Sequence, residues 1–140
     1  MMNEYEEEMT GRYIETVGRR KTATARVRMY DSDENNIIIN DTETVDDYFP
    51  TKILRRKCRN PFSVADTEDS FFVSVHVSGS GLNGQAEAIR HGISRGLVEH
   101  DKSLKKSLKD EGYLKRDPRM VERKKPGRKK ARKSSQWSKR

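Results

Sequence analysis

The sequence has one cysteine, Cys58, one tryptophan, Trp137, and only four prolines in 140 residues. A single cysteine excludes an intramolecular disulfide and any multi-cysteine zinc site, and it fits a reducing compartment. Cys58 reads as a small, half-buried residue and not as a reactive thiol. Long apolar runs are missing too, so nothing approaches the roughly 18 to 20 residues that a membrane span needs. The first residues, Met1-Met2-Asn3-Glu4-Tyr5-Glu6-Glu7-Glu8, carry neither the basic start and apolar stretch of a signal peptide nor the Arg-rich pattern of a transit peptide. A cytoplasmic protein without a membrane partner is the expectation. Hydrophobic residues make up 31% of the chain and charged ones 37%. That is too few apolar residues for a core extending along the whole length.

Charge is what the chain has in quantity, and it is unevenly placed. The formal net charge is +8, yet residues 1–112 hold 17 basic and 20 acidic side chains, whereas residues 113–140 hold 13 basic and 2 acidic ones. The last 28 residues contain few core formers, chiefly Tyr113, Leu114, Met120, Val121 and Trp137, with no period of 2 or 3.6. Such a segment cannot offset the entropy of folding alone and reads as a cationic tail. Extended, it would reach roughly 90 Å at about 3.3 Å per residue. The density of one-signed charge at Arg123, Lys124, Lys125, Arg128, Lys129, Lys130, Arg132 and Lys133 points to a polyanion.

The body reads as an α+β domain over residues 13–112, preceded by an acidic extension, residues 1–12, expected to be disordered. Ala23, Ala25, Val27 and Met29 alternate with Thr22, Thr24, Arg26, Arg28 and Tyr30, the pattern of a half-buried strand with a basic outer face. Ile37 to Ile39 read as a short second strand, and the turn-rich Asp31 to Asn36 predicts an antiparallel hairpin between the two. Thr44 and Asp47 predict a capped short helix carrying Val45, Tyr48 and Phe49, ended by Pro50. A second short helix is expected from Thr51 to Cys58, stopping near Asn60-Pro61. Phe71 to Val77 make the strongest strand. Ala86, Ile89, Ile93 and Leu97 then predict a helix from about Gln85 to His100, with Gly92 and Gly96 allowing a close approach to the sheet. Leu104 and Leu108 mark a further short helix, with Gly112 as its stop. Three or four strands, one long helix and several short ones result.

Gly79-Ser80-Gly81-Leu82-Asn83-Gly84 matches G-x-G-x-x-G, follows a strand and opens a helix, with Glu99 further on. In the dinucleotide fold the acidic residue ends a second parallel strand. Here Glu99 ends a helix, and the Lys-rich Asp101 to Gly112 that follows is no strand, so a nucleotide cofactor is not expected. Either the glycines serve a tight turn or their amides meet an anion, for which a polynucleotide phosphate is as suitable. His76, His91 and His100 show no metal-ligand spacing, and nothing is arranged as a nucleophile or general acid. Neither enzymatic activity, cofactor nor metal is expected.

Three stretches belong together: Gly18-Arg19-Arg20-Lys21-Thr22-Ala23-Thr24-Ala25-Arg26-Val27, then Gly79-Ser80-Gly81 through Gly84-Gln85-Ala86-Glu87-Ala88-Ile89-Arg90-His91-Gly92-Ile93, and Arg116-Asp117-Pro118-Arg119-Met120-Val121-Glu122-Arg123-Lys124-Lys125 running on to Ser138-Lys139-Arg140. In order and spacing, over about residues 13–140, the chain resembles the small-subunit ribosomal protein nine family in its bacterial form. The resemblance implies the fold of the second domain of small-subunit protein five, set in ribosomal RNA of the head beside neighbouring head proteins. It implies rRNA contacts through Arg19, Arg20, Lys21, Arg26, Arg28, Arg90, Arg116, Arg119 and the basic tail residues named above. It also implies that Lys139 and Arg140 reach the anticodon stem-loop of peptidyl-site tRNA. No homo-oligomer is expected. Four positions depart from the family's pattern: Asn83 replaces Ser and is expected to cap the helix, Gly96 replaces Ala, Pro126 replaces an aromatic, and Trp137 replaces Phe or Tyr. A free nucleic-acid binder with a basic tail shares the charge distribution but not the order of motifs.

Overall fold

The structure, a computed structural model, describes residues 11–67, 69–116, 118, 119 and 126. The acidic extension up to Thr10 and the tail residues from Met120 on, Pro126 excepted, lie outside the described residues. Five strands form one sheet in the order β1-β2-β5-β3-β4. They are β1 (Tyr13–Arg20), β2 (Ala23–Ser32), β3 (Asn36–Ile39), β4 (Glu43–Thr44) and β5 (Ser70–Ser78). The helices are α1 (Val45–Tyr48), α2 (Lys52–Ala65), α3 (Leu82–His100) and α4 (Lys105–Asp110), with a 3-10 turn at Lys102–Leu104 before the last. The α+β reading is borne out.

The alternation in β2 does what its period requires. Ala23, Ala25, Val27 and Met29 are buried towards the helices, where Ile89, Ile93 and Leu97 of α3 and Val73, Val75 and Val77 of β5 join them in one core. Thr44 caps α1 by accepting from the Asp47 amide, as expected. Gly112 ends α4 with φ +78, its amide donating to the Lys109 carbonyl.

Four expectations are corrected. The sheet has five strands where three or four are expected, because Tyr13–Arg20 and Glu43–Thr44 add β1 and β4, and β1 pairs with β2 from Tyr13↔Tyr30 to Arg20↔Ala23, closed by a turn at Lys21 and Thr22. The hairpin between β2 and β3 does not form. Both edges of β2 are occupied, one by β1 and the other by β5, so β3 pairs with β5, in parallel, from Asn36↔Phe72 to Ile39↔Val75. Two long antiparallel ladders outweigh one short local turn. Helix α2 passes through Pro61 to Ala65. The proline costs an intrahelical hydrogen bond, but its ring is buried, and the next residue, Phe62, stacks on Phe71 with ring centroids 6.5 Å apart. Finally, α3 starts at Leu82 with Gly81 as N-cap and no side-chain cap, so Asn83 lies inside the first turn and accepts instead from Lys57 Nζ at 2.5 Å.

Cys58 is fully buried and not half-buried, and burial pushes its thiol up to about 12. One close approach positions everything discussed next. Gly18 of β1 faces Ala88 and Gly92 of α3, and a Cβ on Gly18 would overlap the Ala88 carbonyl and the Gly92 backbone. Beside it, Thr16 Oγ1 donates to the Gly92 carbonyl at 2.6 Å. Glycine facing glycine lets the end of β1 lie directly on the middle of α3.

Candidate nucleic-acid interface

Because Gly18 is pressed against α3, Arg19 and Arg20 emerge beside the α3 side chains Glu87, Arg90 and His91. The chain leaving α4 returns to the same place. A cavity of about 130 Å³ opens there, lined by Arg19, Arg20, Arg90, Lys115 and Arg119, with Glu87, His91, Gly112 and Tyr113 completing the wall. Among the described residues its only carboxylate, Glu87, is already matched. Glu87 accepts from Arg20 Nε at 2.6 Å and from Lys57 Nζ at 3.3 Å. Burial pushes this carboxyl up, but the two hydrogen bonds outweigh it and hold Glu87 below the ordinary carboxylate range.

The root of the tail is fastened to this wall. His91 Nδ1 accepts from the Arg19 amide at 3.3 Å, and since an amide can only donate, that nitrogen carries no proton. Nε2 is therefore the protonated one, donating to the Leu114 carbonyl at 3.3 Å. Burial lowers the His91 pKa below its usual value, and Arg95, Arg116 and Arg90 reinforce the shift while the Leu114 contact opposes it. Arg90 lies over the Tyr113 ring at 4.7 Å, a cation–π contact, and Arg20 donates to the Arg119 carbonyl at 2.8 Å. Arg95, on the next turn of α3, donates to the Val17 carbonyl at 2.6 Å.

Of the residues expected to meet RNA, the structure brings Arg19, Arg20, Arg90 and Arg119 to one cavity. Lys21 stands at the tip of the β1–β2 turn with φ +53, beside the exposed Arg19. Arg20 is turned inward, its side chain only 12% exposed, and braces the wall more than it faces solvent. Arg26 and Arg28 are elsewhere, on the sheet face away from the helices, near Glu15 at 3.8 and 3.9 Å, with Arg28 over the Tyr13 ring at 4.9 Å. Tyr30, on that same face, is buried with Ile38 and Phe72 as a small apolar cluster. Arg116 is exposed on the tail root. Arg123, Lys124, Lys125, Arg128, Lys129, Lys130, Arg132, Lys133, Lys139 and Arg140 lie outside the described residues, as does Trp137. Sequence reasoning missed Lys115 and the fastening role of His91. No periodicity signals either, because both depend on the tail root folding back.

What the cavity can do follows from its charges. Among the described residues five cations stand around one carboxylate, an arrangement that favours an anion, and arginine forks suit a phosphate. The glycine turn before α3 serves the backbone: Gly79 has φ +84 and Ser80 φ +54, and a Cβ on Gly79 would overlap the Thr22 carbonyl. Among the described residues no group of three or more His, Cys, Asp or Glu side chains is placed to hold a metal ion, and no helix is long and apolar enough to cross a membrane.

Residues 18–140 match the family model of ribosomal protein S9/S16. The chain belongs to that family. The match begins at Gly18, the residue that seats β1 on α3, and runs through the cavity wall and the whole basic tail. Membership makes this a ribosomal protein of the small subunit, a component of the translation machinery.

Proposed function

We propose that the protein is a constituent of the head of the small ribosomal subunit that binds rRNA through the cavity at the tail root and reaches peptidyl-site tRNA with its C-terminal basic residues. The observation that carries this reading is the convergence of Arg19, Arg90, Lys115 and Arg119 where the tail leaves the body. Arg19, Lys21, Arg90 and Arg116 contact rRNA phosphates; Arg20 holds the wall that presents them. Arg26 and Arg28 form a second basic surface on the open sheet face. From Arg123 to Lys133 the tail lies along RNA, where phosphate neutralisation at irregular spacing suits folded RNA better than a fixed recognition helix does. Lys139 and Arg140 make charge-assisted contacts to tRNA, each worth about 1 to 3 kcal/mol before entropy is counted. Its site of action is the cytoplasmic ribosome, among neighbouring head proteins.

The test is a ribosome lacking Ser138 to Arg140. Such particles are expected to assemble and to hold peptidyl-site tRNA less tightly at matched salt. Undiminished tRNA affinity would overturn the role given to the terminus. For the cavity, replacing Arg19, Lys21 and Arg90 by Gln is expected to impair incorporation into the head, and normal incorporation would count against it.

A further inference from the structure

Helix α2 carries charge that its own stability does not need. Its first eight residues, Lys52 to Arg59, include five cations, Lys52, Arg55, Arg56, Lys57 and Arg59, and the helix contains no acidic residue. Lys52 and Arg56, like Arg55 and Arg59, stand four apart, the spacing at which like charges repel on a helix surface. Lys52 and Arg55 also sit in or next to the first turn, where the helix dipole disfavours a cation. A face that merely had to be soluble would interleave glutamates. This one does not.

The geometry gathers these side chains. At helical spacing Lys52, Arg55 or Arg56, Arg59 and Ser63 form one stripe, opposite the line of Leu54, Cys58, Pro61 and Ala65, of which the last three are buried. A groove of about 460 Å³ runs along the stripe, lined by Lys52, Arg55, Arg56, Arg59, Asn60 and Ser63, with Asp46 at its edge. Asp46 pairs with Arg59 at 2.9 Å and lies 4.0 Å from Arg55. Lys52 and Arg56 are exposed and have no ion-pair partner among the described residues. Lys57, to one side of the stripe, reaches the other way, to Glu87, the carboxylate that also holds Arg20. The α2 surface and the tail-root cavity therefore share an edge.

From this arrangement we infer that the α2 groove is a further RNA-docking surface, taking the sugar-phosphate backbone of an RNA segment other than the one at the tail root. Lys52 and Arg56 neutralise phosphates, Arg59 adds a guanidinium oriented by Asp46, and Asn60 and Ser63 supply hydrogen bonds to sugar or phosphate oxygens. An acidic protein would complement the charge as well. It fits the surface less, because the centre of a protein interface is depleted in charged residues, and four of the six residues along this groove, Lys52, Arg55, Arg56 and Arg59, are cations. The inference rests on the rRNA-binding reading above and extends it to residues outside the family's motif stretches.

The buried Cys58 makes a direct test available, since any introduced surface cysteine is the reactive one. Full-length chains carrying Arg56→Cys, Ser63→Cys or Lys21→Cys are tethered to an iron chelate, assembled into small subunits, and used to generate hydroxyl radicals that cut nearby RNA. Cuts from positions 56 and 63 that map to a different rRNA segment from those of position 21 are the expected result. Cuts from position 21 alone would overturn the α2 surface while leaving the tail-root interface intact, whatever protein then proves to lie on α2. Cuts from none of the three in assembled particles would overturn both. In parallel, a Lys52→Gln, Arg56→Gln chain binding a purified rRNA head fragment is expected to lose about 1.8 from the magnitude of the slope of log affinity against log salt, two phosphates at about 0.9 each. An unchanged slope contradicts the assignment.

Discussion

Placing a methyl group on Gly18 tests the geometry that assembles the whole interface. In Gly18→Ala the new carbon meets backbone on the facing helix, the Ala88 carbonyl and the Gly92 amide, and neither can rotate away. Strand and helix must separate. Overpacking of a tight contact costs about 1 to 3 kcal/mol, and two unyielding neighbours place this case near the top of that range. Stretching the buried Thr16 hydrogen bond to the Gly92 carbonyl adds about 1 kcal/mol. Removing a strand glycine returns about 0.5 to 1 kcal/mol of chain entropy. The net expectation is a loss of about 3 kcal/mol, equivalent to roughly 12 to 24 °C in melting temperature for a domain of this size. Gly96→Ala is the control. Its methyl meets the Met29 sulfur, the far end of a flexible side chain, and alanine improves helix propensity by about 1 kcal/mol. That variant should stay within about 1 kcal/mol of the parent. Urea unfolding of the full chain, followed by circular dichroism, measures both. A Gly18→Ala loss below about 1 kcal/mol, or a Gly96→Ala loss as large as that of Gly18→Ala, would refute the packing argument.

Two further outcomes can be checked on the same chain. His91 has a folded pKa below its unfolded value of about 6.5, so the unfolded chain takes up the proton first. Its contribution to stability is therefore complete above about pH 6.5 and is lost as pH falls towards the folded pKa. Between pH 7.5 and 5.5 the urea midpoint of His91→Gln should fall less than that of the parent, and a steeper fall would contradict the neutral, Leu114-bound imidazole. Cys58, with its thiol raised to about 12, should resist a thiol reagent at pH 8 in the native chain and react fully in urea. Rapid native labelling would show that α2 does not bury it.

The extent to which the sequence announces this structure varies with the range of each interaction. Strand β2, the capped α1 and the α3 stripe of Ala86, Ile89, Ile93 and Leu97 repeat with the period of their own backbone, so nearest neighbours specify them. The uneven charge is likewise legible residue by residue, and the three motif stretches carry the family. Pairing is different. Whether Ile37 to Ile39 join β2 or β5 depends on which edges remain after β1 and β5 have taken β2, and that competition has no local signature. Pro61 looks like a stop until its buried ring and the Phe62–Phe71 stack are seen to compensate for the missing hydrogen bond.

The basic groups show the same division. By itself the sequence determined that a charge-balanced stretch, residues 13–112, is followed by a strongly cationic one, residues 113–140, because charge is a property of composition and order alone. Only the tertiary structure decided which cations face a common cavity, which one is turned inward on Glu87, and that α2 displays a stripe of its own. Those outcomes depend on Gly18 lying against Gly92 and on the chain after α4 folding back to His91, contacts between residues more than 20 positions apart.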